Sequence, residues 1–170
     1  MRDYYIKLYQ KNFAFYERYP RAKRALLFSN LALTGIFALA YLALVIYALF
    51  LPMPVYDTLA ILYVPSLGAV SVAFLRPLID RPRPYSEFGA KITPILHKKS
   101  KDKESFPSRH VTCAVAISLC FLPHLLGAGI CLLALSCVLA YVRFALGLHY
   151  PSDLFGGATL GCLCGLLLCL

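Results

Sequence analysis

Charge is scarce in this chain of 170 residues: Asp, Glu, Lys and Arg make up 15% of it, against roughly a quarter in an average soluble domain. Apolar residues fill the gap at 60%, and the mean hydropathy of +0.70 calls for a solvent other than water. That scarcity excludes a disordered chain, a coiled coil and an ordinary cytosolic globule. Acidic residues are the scarcer sign, 8 against 17 basic, so the formal net charge is +9. Such a balance fits nucleic acid, anionic lipid or a phosphate-bearing substrate, and composition alone leaves all three open. Cys-x-x-Cys pairs are also missing. Cys113, Cys120, Cys131, Cys137, Cys162, Cys164 and Cys169 all lie in apolar runs, which reads as small buried hydrophobes rather than a disulfide or metal framework.

What is present is a series of long uncharged runs. Ala25–Leu51 holds 27 residues without a charge, more than the roughly 20 that cross a bilayer as a helix. It is too long for a signal-peptide core, and no small-residue cleavage site closes it, so it is expected to remain as an uncleaved span. Pro52-Met53-Pro54 ends it, and Thr58–Leu75 follows with Pro65 and Gly68 inside. The 32 uncharged residues Val111–Val142 are too many for one upright helix, and Pro123-His124 with Gly127 and Gly129 marks a turn. Spans near 108–123 and 125–146 result, and Leu154–Leu170 makes a fifth. His124 reads as an interfacial polar residue.

The first 24 residues differ in kind, interleaving seven aromatics with seven Lys or Arg. Tyr5, Tyr9 and Phe13 recur every fourth residue, the spacing of one helical face, so residues 1–24 read as an amphipathic helix in the headgroup region. Nucleic-acid binding is disfavoured because the first span follows at once. The expected architecture is therefore all-α: five transmembrane helices in one bundle over 25–170, preceded by the interfacial helix. With that numbering, the N-terminal segment, the loop around 76–109 and the loop 144–151 share one face, and all 17 basic residues fall on it. Positive-inside reasoning makes this the cytoplasmic face. The oligomeric state leaves no mark in the sequence.

Three polar clusters meet on the basic face, where charge at membrane depth is costly and usually functional. They are Arg76-Pro-Leu-Ile-Asp-Arg-Pro-Arg83-Pro84, Phe106-Pro107-Ser108-Arg109-His110, and Arg143 through His149 to Asp153. Guanidiniums recognise phosphate oxygens by forked hydrogen bonds. Ser108 stands where a helix N-cap would aim backbone N–H groups at an anion. Two histidines offer a nucleophile or base and an acid near neutral pH. Asp153, four residues after His149, would fix its tautomer. No second carboxylate lies close enough in sequence for a two-metal site, which favours phosphoryl transfer through a phosphohistidine without metal or other cofactor. Arg81 with Asp80 reads as a local ion pair, Lys98, Lys99, Lys101 and Lys103 with Asp102 and Glu104 as a solvated loop, and His97 belongs to no motif.

The spacing resembles that of the type 2 phosphatidic acid phosphatase family, membrane lipid phosphatases that share a core with vanadium haloperoxidases. The family motifs are Lys-x6-Arg-Pro, Pro-Ser-Gly-His and Ser-Arg-x5-His-x3-Asp. Here Arg76 stands six residues before Arg83-Pro84, Pro107-Ser108-Arg109-His110 is the middle motif, and Arg143-x5-His149-x3-Asp153 the last. The resemblance covers roughly 60–165. It implies His149 as nucleophile, Asp153 as its partner and His110 as the acid. Arg76, Arg83, Arg143 and Ser108 would bind the phosphoryl group; Arg109, which the resemblance does not cover, reads as an extra guanidinium for a second phosphate. Three positions depart from the pattern: Arg76 replaces lysine, Arg109 replaces glycine, and Val142 replaces the serine before Arg143. The five spans are one fewer than many family members have, and the missing one precedes the motifs. The expected substrate is a lipid phosphate or diphosphate, such as undecaprenyl diphosphate or phosphatidylglycerophosphate. A lipid phosphotransferase using the same intermediate is the nearest rival. A non-enzymatic lipid transporter is a more distant one, since no internal repeat is seen.

Overall fold

The computed structural model describes residues 2–88, 95 and 103–169. Lys91, His97, Lys98, Lys99, Lys101 and Asp102 therefore lie outside the described residues, and with them most of the expected solvated loop. Among the described residues the chain forms seven α-helices and a closing 3-10 turn: α1 (Arg2–Arg18), α2 (Pro20–Phe50), α3 (Val55–Ile79), α4 (Pro84–Glu87), α5 (Arg109–Phe121), α6 (Leu126–Ala145) and α7 (Pro151–Gly165), then Leu166–Cys169.

Helix breaks fall where the sequence removes a donor or bends the backbone. Tyr19 leaves helical geometry, and Pro20 restarts the chain at the first position of α2, where its missing N–H costs nothing. The helix begins five residues before the uncharged run, so Arg21, Lys23 and Arg24 ride on its first turns. Asp80, in left-handed geometry, caps α3 and turns the chain sharply. Helices α2, α3 and α6 are long and apolar enough to cross a bilayer. The 13 residues of α5 rise only about 20 Å, short of a hydrocarbon core of roughly 30 Å. Five apolar helices thus occupy the places of the five expected spans, three of them of full spanning length.

Helix α5 is the centre, packed against α3, α6 and α7 and buried along Val111, Thr112, Ala114, Val115, Ala116 and Ile117. Its closest partner is α7, and three glycines explain the approach. A Cβ added at Gly157 would sit 2.7 Å from the Ser108 carbonyl oxygen, and one at Gly161 2.7 Å from the Thr112 carbonyl oxygen. Gly165 continues the stripe against Leu119. Small residues every fourth position let two helix backbones meet within a membrane. Here they seat the first turn of α7, with Asp153, directly against the start of α5, and Ser108 N–H donates to the Asp153 carbonyl at 3.0 Å.

The cysteines correct one expectation. Cys120 and Cys164 are buried and Cys113 partly so, but Cys131, Cys137 and Cys162 are exposed on the outer surface of apolar helices. They pack no core; bilayer rather than protein would cover them. These six are free thiols, and the side chain of Cys169 is not described.

Candidate active site

Four segments converge at the end of the bundle that carries the α6–α7 connection. The last turn of α3 supplies Arg76, the link to α4 supplies Arg81 and Arg83, residues 105–110 lead into α5, and Arg143 to Asp153 joins α6 to α7. Arg76, Arg83, Ser108, Arg143, His149 and Asp153 are all buried although each is polar. Burial at that cost requires partners or a ligand.

His149 has one ring nitrogen tied down. Its Nδ1 lies 2.8 Å from the Ser105 carbonyl oxygen. A carbonyl can only accept, so Nδ1 carries the proton and Nε2 keeps its lone pair. Burial pushes the imidazole below its ordinary value of 6.5; Asp153 opposes that shift, while Arg83 and Arg76 add to it. The ring is therefore neutral at neutral pH.

Asp153 stands within ion-pair reach of the ring, where it favours the cation, but it does not fix the tautomer as expected. Its Oδ2 is 3.7 Å from His149 Nδ1, beyond hydrogen-bond reach. The reason is local. Helix α7 starts at Pro151, so His149 precedes the N-cap, and the i,i+4 meeting of side chains needs both residues in the helix. Instead Oδ2 accepts from the Tyr150 backbone N–H at 2.8 Å and from the Ser105 hydroxyl. Oδ1 takes Arg81 at 2.7 Å. The carboxylate thus fixes Ser105, whose carbonyl fixes the histidine. Arg81 also corrects the expected local pair: it bonds Ser152 and Asp153 and stacks over the Tyr150 ring, while Asp80 is paired with Lys103.

The guanidiniums divide their donors. Arg76 gives Nε and one terminal nitrogen to the Pro107 carbonyl, at 3.2 and 3.1 Å, and so braces the segment that leads into α5. Arg143 reaches Thr34 of α2 at 3.1 Å. Arg83 and Arg109 lie near enough to both Arg76 and Arg143 for like-charge repulsion to act on them. Arg83 Nε, Arg143 Nε and Ser108 Oγ are buried without any protein partner. Ser108 occupies the N-cap position of α5, yet its hydroxyl makes no capping bond. Like charges crowded around unspent donors are the arrangement of an anion site.

Arg109 and His110 sit on the first turn of α5 and line a cavity of about 210 Å³. Thr34, Phe37 and Ala38 of α2, further residues of α5 and Leu139 of α6 form its other walls. Arg109 and His110 give the cavity its charged and titratable edge, and its remaining walls are mostly apolar. Arg109 is exposed and His110 half-buried, so both stand nearer the rim than His149.

Of the residues expected from sequence, all eight lie at this end of the bundle. Ser105, Arg81 and Thr34 were missed. Ser105 and Thr34 sit in no recognisable motif, whereas Arg81 was visible between Arg76 and Arg83 as a third arginine.

An α-helical bundle that buries guanidiniums around a histidine with a free nitrogen defines a phosphate-handling site in an apolar scaffold. The PAP2 superfamily profile matches residues 57–170. The chain belongs to that superfamily. Over 72 residues it is 42% identical to YbjG of Escherichia coli, provisionally named an undecaprenyl-diphosphatase; this covers 40% of the chain and 35% of that protein. Over 93 residues it is 34% identical to the lipid A 4′-phosphatase of Bacteroides thetaiotaomicron, covering 52% of the chain and 41% of that enzyme. The chain thus matches less than half the length of either. Its fold is similar to that of Aquifex aeolicus LpxE, with a TM-score of 0.68 and 22% identity over 89% of this chain and 88% of that one. It is also similar to a transmembrane PAP2-type phosphatidylglycerolphosphate phosphatase from Bacillus subtilis, with a TM-score of 0.60 and 22% identity over 98% and 92%.

Proposed function

We propose that the protein is an integral membrane phosphatase that removes a phosphoryl group from a membrane lipid through a phosphohistidine. One observation carries the reading: Arg83 Nε, Arg143 Nε and Ser108 Oγ are buried and unpartnered in the cluster that surrounds His149, whose Nδ1 is bonded to Ser105. Phosphoryl transfer needs little covalent chemistry from a protein and much fixed positive charge.

In the first step His149 Nε2 attacks phosphorus, the bond to the lipid oxygen breaks, and His110 protonates that oxygen as it leaves. In the second, water attacks the phosphohistidine, His110 accepts its proton, and phosphate departs as the P–N bond breaks. Arg76, Arg83, Arg143 and Ser108 hold the equatorial oxygens, where charge accumulates. Asp153 acts through Ser105 and through its nearby charge, which favours the imidazolium character that develops on attack. The chemistry assigned to these residues calls on no cofactor.

Arg109 favours a headgroup with two phosphates, because a fourth guanidinium near Arg76 and Arg143 exceeds what one phosphoryl group can occupy. Isoprenyl diphosphates and phosphatidylglycerophosphate both satisfy this, and the names of the relatives cover both lipid classes. Within residues 1–24, helix α1 is read as lying at the membrane surface with its apolar face on the protein, and 25–170 as the phosphatase domain, with five crossings and the basic face in the cytoplasm.

Phosphate release from a panel of purified lipid phosphates, by wild type and by His149→Ala, tests the reading. Release by wild type and a loss of roughly 10³-fold or more in the variant are expected. Inactivity of folded wild type across the panel, or retained release by His149→Ala, would overturn it. Phosphate appearing on an added acceptor lipid would reassign the enzyme as a phosphotransferase. Labelling a single cysteine placed at 91–103, in a background lacking the native thiols, should fail with an impermeant reagent outside intact cells.

A further inference from the structure

Helix α1 lies outside the region that carries the superfamily match, yet it touches the turn that holds His149 at every second residue. Asn12 Nδ2 donates to the Ala145 carbonyl at 2.7 Å. Phe13 fills the space beside Gly147, whose φ is +74° and where an added Cβ would lie 2.5 Å from the ring. The Tyr9 hydroxyl donates to the carbonyl of His149 itself at 2.7 Å. Residues 9, 12 and 13 form one helical face, so a single docking event sets all three contacts.

This differs from what an interfacial helix needs. Tyr9 is fully buried, and its ring packs on Phe13, Phe144 and Tyr150. Burial raises its phenol well above the ordinary value, so the hydroxyl stays a donor throughout the working pH range. Tyr5 extends the cluster to Tyr150, whose hydroxyl donates to Glu87 at 2.6 Å. The apolar face of α1 is thus spent on the protein, and Tyr4, Phe15 and Tyr19 are left outward for the membrane surface.

We propose that α1 is a clasp on the 145–150 turn and that Tyr9 is a positioning residue for the His149 nucleophile. Two bonds locate His149: Nδ1 to Ser105 orients the ring, and Tyr9 to the carbonyl fixes the peptide from which the ring projects. Losing the second lets the ring move relative to the arginine cluster while leaving the cluster intact. An ångström of misplacement in a reacting group costs up to about 100-fold in rate. The inference rests on the reading of His149 as nucleophile.

The test is Tyr9→Phe in the full chain, assayed in mixed micelles of a lipid phosphate the wild type hydrolyses, with rates normalised to folded protein. The ring and its packing remain, and only the hydroxyl goes. The expected result is a roughly 10- to 100-fold fall in kcat at unchanged KM. The acid limb of kcat/KM should also rise toward pH 6.5 as the histidine becomes better solvated. Asp153 from α7, Arg83 from the α3–α4 link and Arg76 from α3 are the charged groups that act on that ring, and all three are unaltered in the variant. A clasp that merely stabilised the fold would lower the yield or melting temperature and leave both readouts in place. Unchanged kcat and acid limb in Tyr9→Phe, or an equal loss in Tyr4→Phe, would overturn the proposal. His149→Ala assayed alongside separates the cases: if it keeps activity, the nucleophile reading falls and this inference with it. If it is inactive and Tyr9→Phe matches wild type, the clasp alone falls.

Discussion

Asp80 and Arg81 are neighbours of opposite charge, and each is paired elsewhere at the same distance, 2.7 Å. Lys103 and Asp80 meet with side chains 66% and 50% exposed, in water that screens and competes. Arg81 and Asp153 meet with side chains 32% and 0% exposed, and the carboxylate takes further bonds from Ser105 and the Tyr150 N–H. Distance alone therefore says little about an ion pair. What separates the two is how completely the surroundings replace water, since a buried carboxylate that loses one donor has no solvent to turn to. The shared geometry also has a use: the end of α3 is tied at once to the 103–105 segment and to the first turn of α7.

Asp153→Asn should widen this contrast most. The side chain keeps its shape but turns an NH2 toward donors and loses the charge that favours imidazolium, so kcat should fall by roughly 10³-fold with the fold retained. Its residual activity should have an acid limb at lower pH than wild type, because Asp153 works against the burial that depresses His149. In wild type the limb in kcat/KM should already lie below pH 6.5: a lowered pKa keeps the nucleophile neutral further into acid, and activity is lost as pH falls through it. A limb at or above 6.5 would mean the histidine is solvated. Arg81→Ala should cost about 1–2 kcal/mol in a denaturation experiment, discounted for the partial exposure of Arg81, and up to about tenfold in kcat. Lys103→Ala should leave melting temperature and turnover unchanged; a clear loss of turnover would show that the exposed pair also shapes the site.

The helices were legible because hydrocarbon imposes a simple code. Runs free of charge became α2, α3, α5, α6 and α7 within a few residues, and Pro20 and Pro151 set starts that hydropathy placed three to five residues too late. The arginines, Ser108 and the two histidines were legible because charge at membrane depth has few structural uses. What stayed hidden were contacts with no periodicity to announce them. The acceptor for His149 is a backbone carbonyl 44 residues away, and the partner of Arg143 is a hydroxyl 109 residues away. Spacing also misled once, where a four-residue interval suggested a direct Asp153–His149 bond although the helix begins between them.

Thr34 belongs to the first long helix, well before the superfamily match begins at residue 57, and it steadies an arginine that belongs to the last shared motif. A fragment trimmed to the matching region would keep every signature residue and still lose a wall of the cavity beside Arg109 and His110. Exchanging the first 56 residues between relatives would accordingly replace the support that Thr34, Tyr9 and Asn12 give to Arg143 and to the 145–150 turn, as well as the first long helix.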